Sequence, residues 1–497
     1  VTKKPEHVVV VGAGPAGLTA AYILAKNGAS VTVLEGDPKY VGGIARTTEY
    51  KGFRFDMGGH RFYSKSKVVN ELWAEFLPDG LLTRPRSSRI YYRGKFFSYP
   101  LKAMDALSKL GLWETFRCVF SYLLTKVFPV KNPTNFEDWV TNQFGKRLFQ
   151  IFFKTYTEKV WGISCKEISA DWAAFRIQGL SLGKAIWTAV APRWIQGSRP
   201  KTLIESFIYP RLGPGMMWEA CEVKIKEWGG KVLMGCTVNG YERDAQTGKW
   251  KVSYVDSHGK TLECTGDHVI SSAPLSEMVG QVTPAFSSET IQSAGKLRHR
   301  DFLTVALIVK ERNTFPDNWI YVHDPGVLLG RVQNYKSWSP EMVPVEGQAC
   351  YGLEYFCFHG DGLWDSTDKE LIARGTREMV QIGLIQAEDV LDGCVIRQRY
   401  AYPVYDATYA THVTRIRNEL ETSFAGLHMV GRAGMHKYNS QDHSMVTAKL
   451  AVENILAGEL VHDLWQVDID FGYEGQKAGQ APAGGGMRSV PIRATET

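Results

Sequence analysis

Val8-Val9-Val10-Val11-Gly12-Ala13-Gly14-Pro15-Ala16-Gly17 begins the stretch on which the fold turns, and Leu18–Asn27, Gly28 and Ser30-Val31-Thr32-Val33-Leu34-Glu35 complete it. An unbroken β-branched run predicts a strand buried on both faces, as in a parallel sheet. The Gly-x-Gly-x-x-Gly turn leads into a segment of helical composition, which Gly28 closes, and a second β-branched run ends on an acid. Gly12 makes the turn, Gly14 lets backbone N–H groups approach a pyrophosphate, and Gly17 lets helix pack on strand. Pro15 and Ala16 lie within this turn, and the N-terminus of the helix that follows carries partial positive charge. Glu35 is positioned to accept hydrogen bonds from a ribose, and an acid there disfavours a 2′-phosphate. The stretch predicts an α/β protein with a Rossmann-like dinucleotide-binding domain.

Gly42-Gly43-Ile44-Ala45-Arg46 follows the second predicted strand almost at once. A glycine doublet with an arginine at this place is similar to the second signature of amine-oxidase-like flavoproteins, which favours FAD over NAD. Taken alone it also fits a glycine turn with a solvated arginine. Further on, Met57-Gly58-Gly59-His60-Arg61-Phe62-Tyr63 sets a backbone turn beside a titratable ring. In a flavoprotein that turn would lie against the isoalloxazine; otherwise His60 is a surface histidine in a glycine loop.

With 497 residues the chain calls for two or three domains. No apolar run approaches the roughly 20 residues that span a bilayer, and the first strand begins too early to leave room for a signal peptide. The eight cysteines are scattered without a Cys-x-x-Cys pair. They read as reduced, buried thiols of a cytoplasmic protein, with no metal site expected. A net charge of +6 without a basic tract suits a small anionic ligand and gives no support to nucleic-acid binding.

The predicted organisation is discontinuous. Residues 1–95, 205–275 and 415–460 would form the FAD-binding domain, and 100–200 a helical substrate domain inserted into it. Residues 276–414 would add a second, mostly antiparallel sheet, and 465–497, rich in Gly, Ala and Pro, a flexible tail. Within the helical part, Asn135 is expected to start one helix and Arg147–Trp161 to form another. A further amphipathic helix is expected over Asp365–Leu384. From spacing alone, Trp161, Trp172 and Arg176 read as core or structural residues.

An ordered set of motifs adds to this reading: Gly58-Gly59-His60-Arg61-Phe62-Tyr63-Ser64, Tyr99-Pro100-Leu101, Phe136-Glu137-Asp138-Trp139, Tyr156-Thr157-Glu158-Lys159-Val160-Trp161-Gly162 and Trp172-Ala173-Ala174-Phe175-Arg176. Arg331 with Ser339-Pro340, Arg399-Tyr400-Ala401-Tyr402-Pro403, Gly431-Arg432 and Gln441-Asp442-His443-Ser444 continue it. Together, across nearly all of residues 8–458, they resemble the UDP-galactopyranose mutases, in particular the longer eukaryotic type. The resemblance implies interconversion of pyranose and furanose forms of a nucleotide sugar by reduced FAD, through an adduct between the sugar and flavin N5, with no net redox change.

Carried onto this chain, the resemblance implies that Arg176 and Arg331 hold the diphosphate and that Tyr321, Tyr402 and Tyr438 bond or wall it. Tyr63 and Trp161 would join the substrate site, and His60, with catalytic work, would stand by the flavin. Gly12, Gly14, Pro15, Ala16, Gly17, Glu35, Gly42, Gly43, Arg46, Gly58, Gly59, Gly431, Arg432, Gln441, Asp442, His443 and Ser444 would hold FAD. An electron donor would have to reduce the flavin, and an oligomer is compatible with the reading. The competing expectation is an FAD-dependent oxidase or dehydrogenase of the amine-oxidase and protoporphyrinogen-oxidase type. A small amine or apolar substrate would need no paired-arginine clamp.

Overall fold

The computed structural model describes residues 5–99, 101–170, 206–312 and 314–467. The expectations placed on Trp172, on Arg176 and on the tail from residue 468 lie outside them.

The valine run lies at the centre of an all-parallel, five-stranded sheet in the order Leu427–Met429, His268–Ser271, His7–Val11, Ser30–Leu34, Lys231–Leu233. Its side chains alternate. Val8 and Val10 enter a core formed with the helices Pro15–Lys26, Gly215–Glu227 and Gln441–Ala457. Val9 and Val11 enter a second core with Tyr241, Trp250 and Val252. Both faces are dry, which is why every position of the run is apolar; each valine buried this way contributes roughly 1.5–3 kcal/mol. The second core is covered by a four-stranded sheet, in which Thr237–Arg243, Trp250–Val255 and Thr261–Gly266 run antiparallel and Val282–Thr283 adds a parallel edge.

The other large sheet has seven strands, ordered Val390–Pro403, His299–Lys310, Gln348–Cys357, Arg331–Asn334, Trp319–Val322, Ser88–Tyr92, Lys95–Ser98. Every neighbouring pair is antiparallel except Trp319–Val322 with Ser88–Tyr92. The hairpin Ser88–Ser98, assigned from sequence to the cofactor domain, is thus an edge of this second sheet. It is a local hairpin in either place, and only its pairing with a strand more than 200 residues away decides where it belongs. The helix Asp368–Gln381 covers one face; Thr367 and Glu370 form a capping box, so it begins inside the range expected from periodicity.

After the hairpin come the helices Ala103–Leu110, Leu112–Val127 and Phe136–Phe144 and then the run Lys146–Trp161, whose middle turn, Gln150–Lys154, is wound wider than an α-helix. Ala106, Cys118, Leu148 and Phe152 pack on Ile90 and Phe97 of the hairpin. Asn135 caps its helix as expected, accepting the Asp138 N–H at 2.9 Å. Lys159 fastens the run to the second sheet, donating to the carbonyls of Val322, Asp324 and Leu329 at 3.2, 2.6 and 3.1 Å. Among the described residues, no helix is long and apolar enough to cross a membrane.

Candidate functional site

The glycine turn after the first strand is built for close backbone approach. At Gly12 φ is +93°, and at Gly17 an added Cβ would lie 1.8 Å from the Gly12 carbonyl oxygen, so the helix can start here only on glycine. Gly14 differs: a Cβ there would meet nothing closer than 3.8 Å, and what it would meet is the Gly43 backbone. Gly14 and Gly43 thus form two bare walls of one cradle at the helix N-terminus, tied by the bond from Gly42 N–H to the Ala13 carbonyl at 2.7 Å. Gly431 approaches the same helix, where a Cβ would lie 2.9 Å from that of Ala16. Extended groups of negative charge suit such a place.

Glu35 ends the second strand, as predicted, and its carboxylate accepts the N–H groups of Ala13 at 2.5 Å and Asp37 at 2.8 Å. It therefore holds the glycine loop while retaining lone pairs for a ribose. Arg46 folds back to donate to the Gly43 carbonyl at 2.9 Å and to Gln398 at 2.5 Å, so its guanidinium braces the doublet. The half-buried groove between Gly14 and Gly43 has bare backbone on both walls, which suits the pyrophosphate of a dinucleotide.

At the far end, the helix Gln441–Ala457 brings its N-terminus into the arrangement. Gln441 accepts from Trp218 Nε1 at 3.1 Å, and Asp442 accepts from Ser64 Oγ at 2.9 Å and from the His443 N–H at 2.9 Å. His443 Nδ1 lies 2.8 Å from Ser440 Oγ. Gln441, Asp442 and His443 thus commit side-chain bonds to fixing the helix start, and with the His443 N–H also taken, the N–H groups of Gln441 and Asp442 are what this turn would offer a ligand. Ser444 is buried, its N–H bonded to the Ser440 carbonyl at 2.9 Å.

Arg432 links this end to the second sheet. It donates to the Ala401 carbonyl at 2.7 Å, and its guanidinium lies over the rings of Tyr402 and Tyr438, at 4.7 and 4.2 Å. Those rings stack on each other at 5.7 Å, and Trp161 packs against both, buried among Phe136, Phe149 and Tyr402. The Tyr402 hydroxyl accepts from Arg331 Nη2 at 2.8 Å. Arg331 stands in a cross-strand row, with Tyr321 opposite it on one side and Glu354 on the other. It makes an ion pair with Glu354, and its guanidinium lies 4.9 Å from the rings of both Trp319 and Phe356. Burial works against its charge, but Glu354 and the surrounding tyrosine oxygens outweigh it and hold the guanidinium's pKa above its ordinary value.

Tyr321 is buried and faces Tyr99, Tyr156 and Trp319, with ring separations of 4.5, 5.6 and 5.6 Å. The Gly58-Gly59-His60 loop packs over this group; a Cβ at Gly59 would lie 2.6 Å from the Trp319 ring. His60 Nε2 is 3.0 Å from the Met57 carbonyl. Burial lowers its pKa to about 4, against the pull of the Met57 bond and helped by the Arg432 and Arg331 charges, so the ring is neutral at physiological pH. Tyr63 stands apart, 45% exposed.

Two residues not singled out from sequence complete the cluster. Arg61 lies 5.3 Å from the Trp319 ring, and Arg86 lies 5.2 Å from that of Tyr99. Burial lowers the Arg86 pKa, and the Arg61 charge lowers it further. Neither makes an ion pair with a carboxylate among the described residues, and Arg86 Nε is buried with no hydrogen-bond partner, as is Trp319 Nε1. Orphaned donors on repelling cations point to an anionic ligand. Arg61 lies within the Gly58–Ser64 motif, which assigns it no role, and the only sequence signal of Arg86 is an arginine in a short loop, which is too common to select.

Comparison with known proteins agrees with this geometry at the level of fold. A family model described as an NAD(P)-binding Rossmann-like domain matches residues 10–76. The L-amino acid oxidase Cdc18 of Crotalus durissus cumanensis is 47% identical over 76 residues, which are 15% of this chain and 15% of that one. The chain thus matches a small part of such relatives, confined to the dinucleotide-binding region. Over most of the chain, the crystal structure of a reduced UDP-galactopyranose mutase superposes with a TM-score of 0.77 at 22% identity, covering 91% of this chain and 96% of the other. A protein from Exiguobacterium described as a protoporphyrinogen oxidase superposes with a TM-score of 0.68 at 16% identity, covering 91% and 99%. Over most of the chain the fold is thus the one that these two structures share.

Proposed function

We propose that the protein is an FAD-dependent mutase that interconverts pyranose and furanose forms of a nucleotide sugar, working with the flavin reduced. The observation that carries the reading is the cationic cluster at the end of the dinucleotide groove. Arg331, Arg61 and Arg86 converge there beside Tyr321, Tyr99 and Tyr156, and the last two arginines lack a carboxylate among the described residues. A diphosphate is the ligand such a cluster suits, since it needs several donors and carries the charge that would relieve their repulsion. An amine substrate would be repelled. Arg176, proposed as a second clamp, lies outside the described residues.

In this reading Gly14, Gly43, Gly431 and the start of the helix Gln441–Ala457 hold FAD, and Glu35 bonds its ribose. When bound and reduced, the flavin supplies a nucleophilic nitrogen to the anomeric carbon. The chain's own residues do the rest. Arg331 donates to the leaving diphosphate and stabilises the charge that develops as the glycosidic bond breaks. Tyr402 and Tyr321 orient it. His60, neutral in its pocket, stands by the flavin as a hydrogen-bonding ring and adds no cation beside the diphosphate.

The test is anaerobic reduction with dithionite, followed by incubation with UDP-galactofuranose and a panel of other nucleotide sugars. Isomerisation that requires reduced flavin and consumes no stoichiometric oxidant is the expected result. Reoxidation of the flavin on addition of substrate, with no isomer formed, would replace the mutase with the oxidase reading.

A further inference from the structure

The helix Leu112–Val127 has its apolar face turned outward. Leu112, Trp113, Phe116 and Phe120 are 93, 72, 60 and 53% exposed, and Leu123 and Val127 continue the stripe. The spacing is helical, so these side chains share one side of the cylinder. The rings of Trp113, Phe116 and Phe120 stack in series, each pair 6.1 Å apart. The opposite side is already satisfied: Cys118 and Tyr122 pack into the cluster of Phe97, Leu148 and Phe152 that also contains Tyr321. A contiguous aromatic and aliphatic stripe of this size on a helix that has a proper core on its other side marks an interaction surface.

Charge identifies the partner. On the helix itself Arg117 and Lys126 stand about a quarter-turn to either side of the stripe, with Lys126 also donating to the Asn142 carbonyl at 3.0 Å. Lys102, Lys109 and Lys131 lie on the segments next to it in sequence. The acids on the same segment are neutralised locally. Asp105 pairs with Lys109 at 2.6 Å, and Glu114 pairs with Arg147 and, at 3.3 Å, with Arg117. The rim therefore presents net positive charge. A second copy laid on this face by two-fold symmetry would set these cations against one another. An anionic surface would not. Trp and Phe on one side, Lys and Arg along the flanks, and a length of 16 residues suit a helix lying in the plane of a bilayer interface. We propose that this helix docks the protein on an anionic phospholipid surface, with Trp113, Phe116 and Phe120 in the headgroup–acyl boundary and Lys126 and Lys131 over lipid phosphates. The candidate cleft would then lie one residue layer behind the membrane-facing helix, since Tyr321 belongs to the cluster beneath it.

The experiment is co-sedimentation of the full chain with vesicles of phosphatidylcholine, with and without phosphatidylglycerol, at low and high salt. Binding is expected to the anionic vesicles, weaker to phosphatidylcholine alone and weakened by salt. The triple variant Trp113→Ser/Phe116→Ser/Phe120→Ser should keep the melting temperature and lose binding by about tenfold or more. Lys126→Glu/Lys131→Glu, which leaves the stripe intact, should lose only the preference for phosphatidylglycerol. Wild-type protein that stays in the supernatant with every vesicle overturns the proposal. So does a triple variant that binds as the wild type does, or one whose sole change is dissociation of a dimer; that last result would assign the face to a second copy of the chain.

Discussion

Arg331 and Glu354 face each other directly across an antiparallel strand pair and form an ion pair sealed from water, while the other arm of the guanidinium reaches the Tyr402 hydroxyl at 2.8 Å. The pair explains how a cation is kept in an aromatic pocket between Trp319 and Phe356. Gln333 Nε2 bonds the other Glu354 oxygen at 2.7 Å, so the carboxylate is held at both ends. Glu354→Gln would leave the guanidinium charged and without its counter-ion, which costs roughly 3–5 kcal/mol for a buried pair. A drop in melting temperature of several degrees is expected; an unchanged melting curve would contradict the pair's role.

Arg331→Lys keeps the charge but gives up the planar fork and its reach to Tyr402. Affinity for UDP and UDP-sugars, measured by calorimetry, is expected to fall about 10- to 100-fold, the worth of a hydrogen bond to a charged group. The flavin spectrum should be unaltered. Affinity equal to that of the wild type would remove Arg331 from the proposed clamp.

Arg86→Gln relieves the repulsion from Arg61 and removes a buried unpartnered donor. The variant should be at least as stable as the parent to urea and yet bind UDP-sugars more weakly. Lower stability together with unaltered binding would mean that the arginine is structural.

The glycines separate folding from cofactor binding. In Gly17→Ala the new methyl would meet the Gly12 carbonyl, so soluble protein is not expected. In Gly14→Ala the methyl finds room in the protein itself, and the chain should fold but purify without its yellow colour. Full flavin content in Gly14→Ala would place the pyrophosphate elsewhere.

Buried histidines make the protein sensitive to acid. Burial lowers the His323 pKa to about 3, aided by the Lys159 charge, and burial lowers that of His436 to about 4. A folded-state value below that of the unfolded chain means that stability is complete above pH ~6.5 and falls as pH drops toward these values, by up to ~1.4 kcal/mol per unit for each group. Urea midpoints measured from pH 7 to pH 4 should fall steadily. A flat profile would show that these rings are protonated in the folded protein.

The dinucleotide-binding part was legible in the sequence because its determinants are local. The valine run, the spaced glycines and the acid of Glu35 lie within thirty residues, and each answers to a backbone requirement that period and turn chemistry reveal. The parallel sheet follows from the same run, since only burial on both faces explains four apolar positions without alternation. The candidate cleft depended on tertiary structure. Arg331 meets Glu354 through strand register and Tyr402 from 71 residues away, Arg61 reaches Trp319 on the loop whose Gly59 packs against that ring, and the pairing of Ser88–Tyr92 with Trp319–Val322 brings the Arg86–Tyr99 pair beside them. A lone arginine in a sequence carries a charge but not its neighbours, and it is the absence of a carboxylate beside Arg86 among the described residues, together with the presence of one beside Arg331, that distinguishes an anion-seeking cation from a paired one.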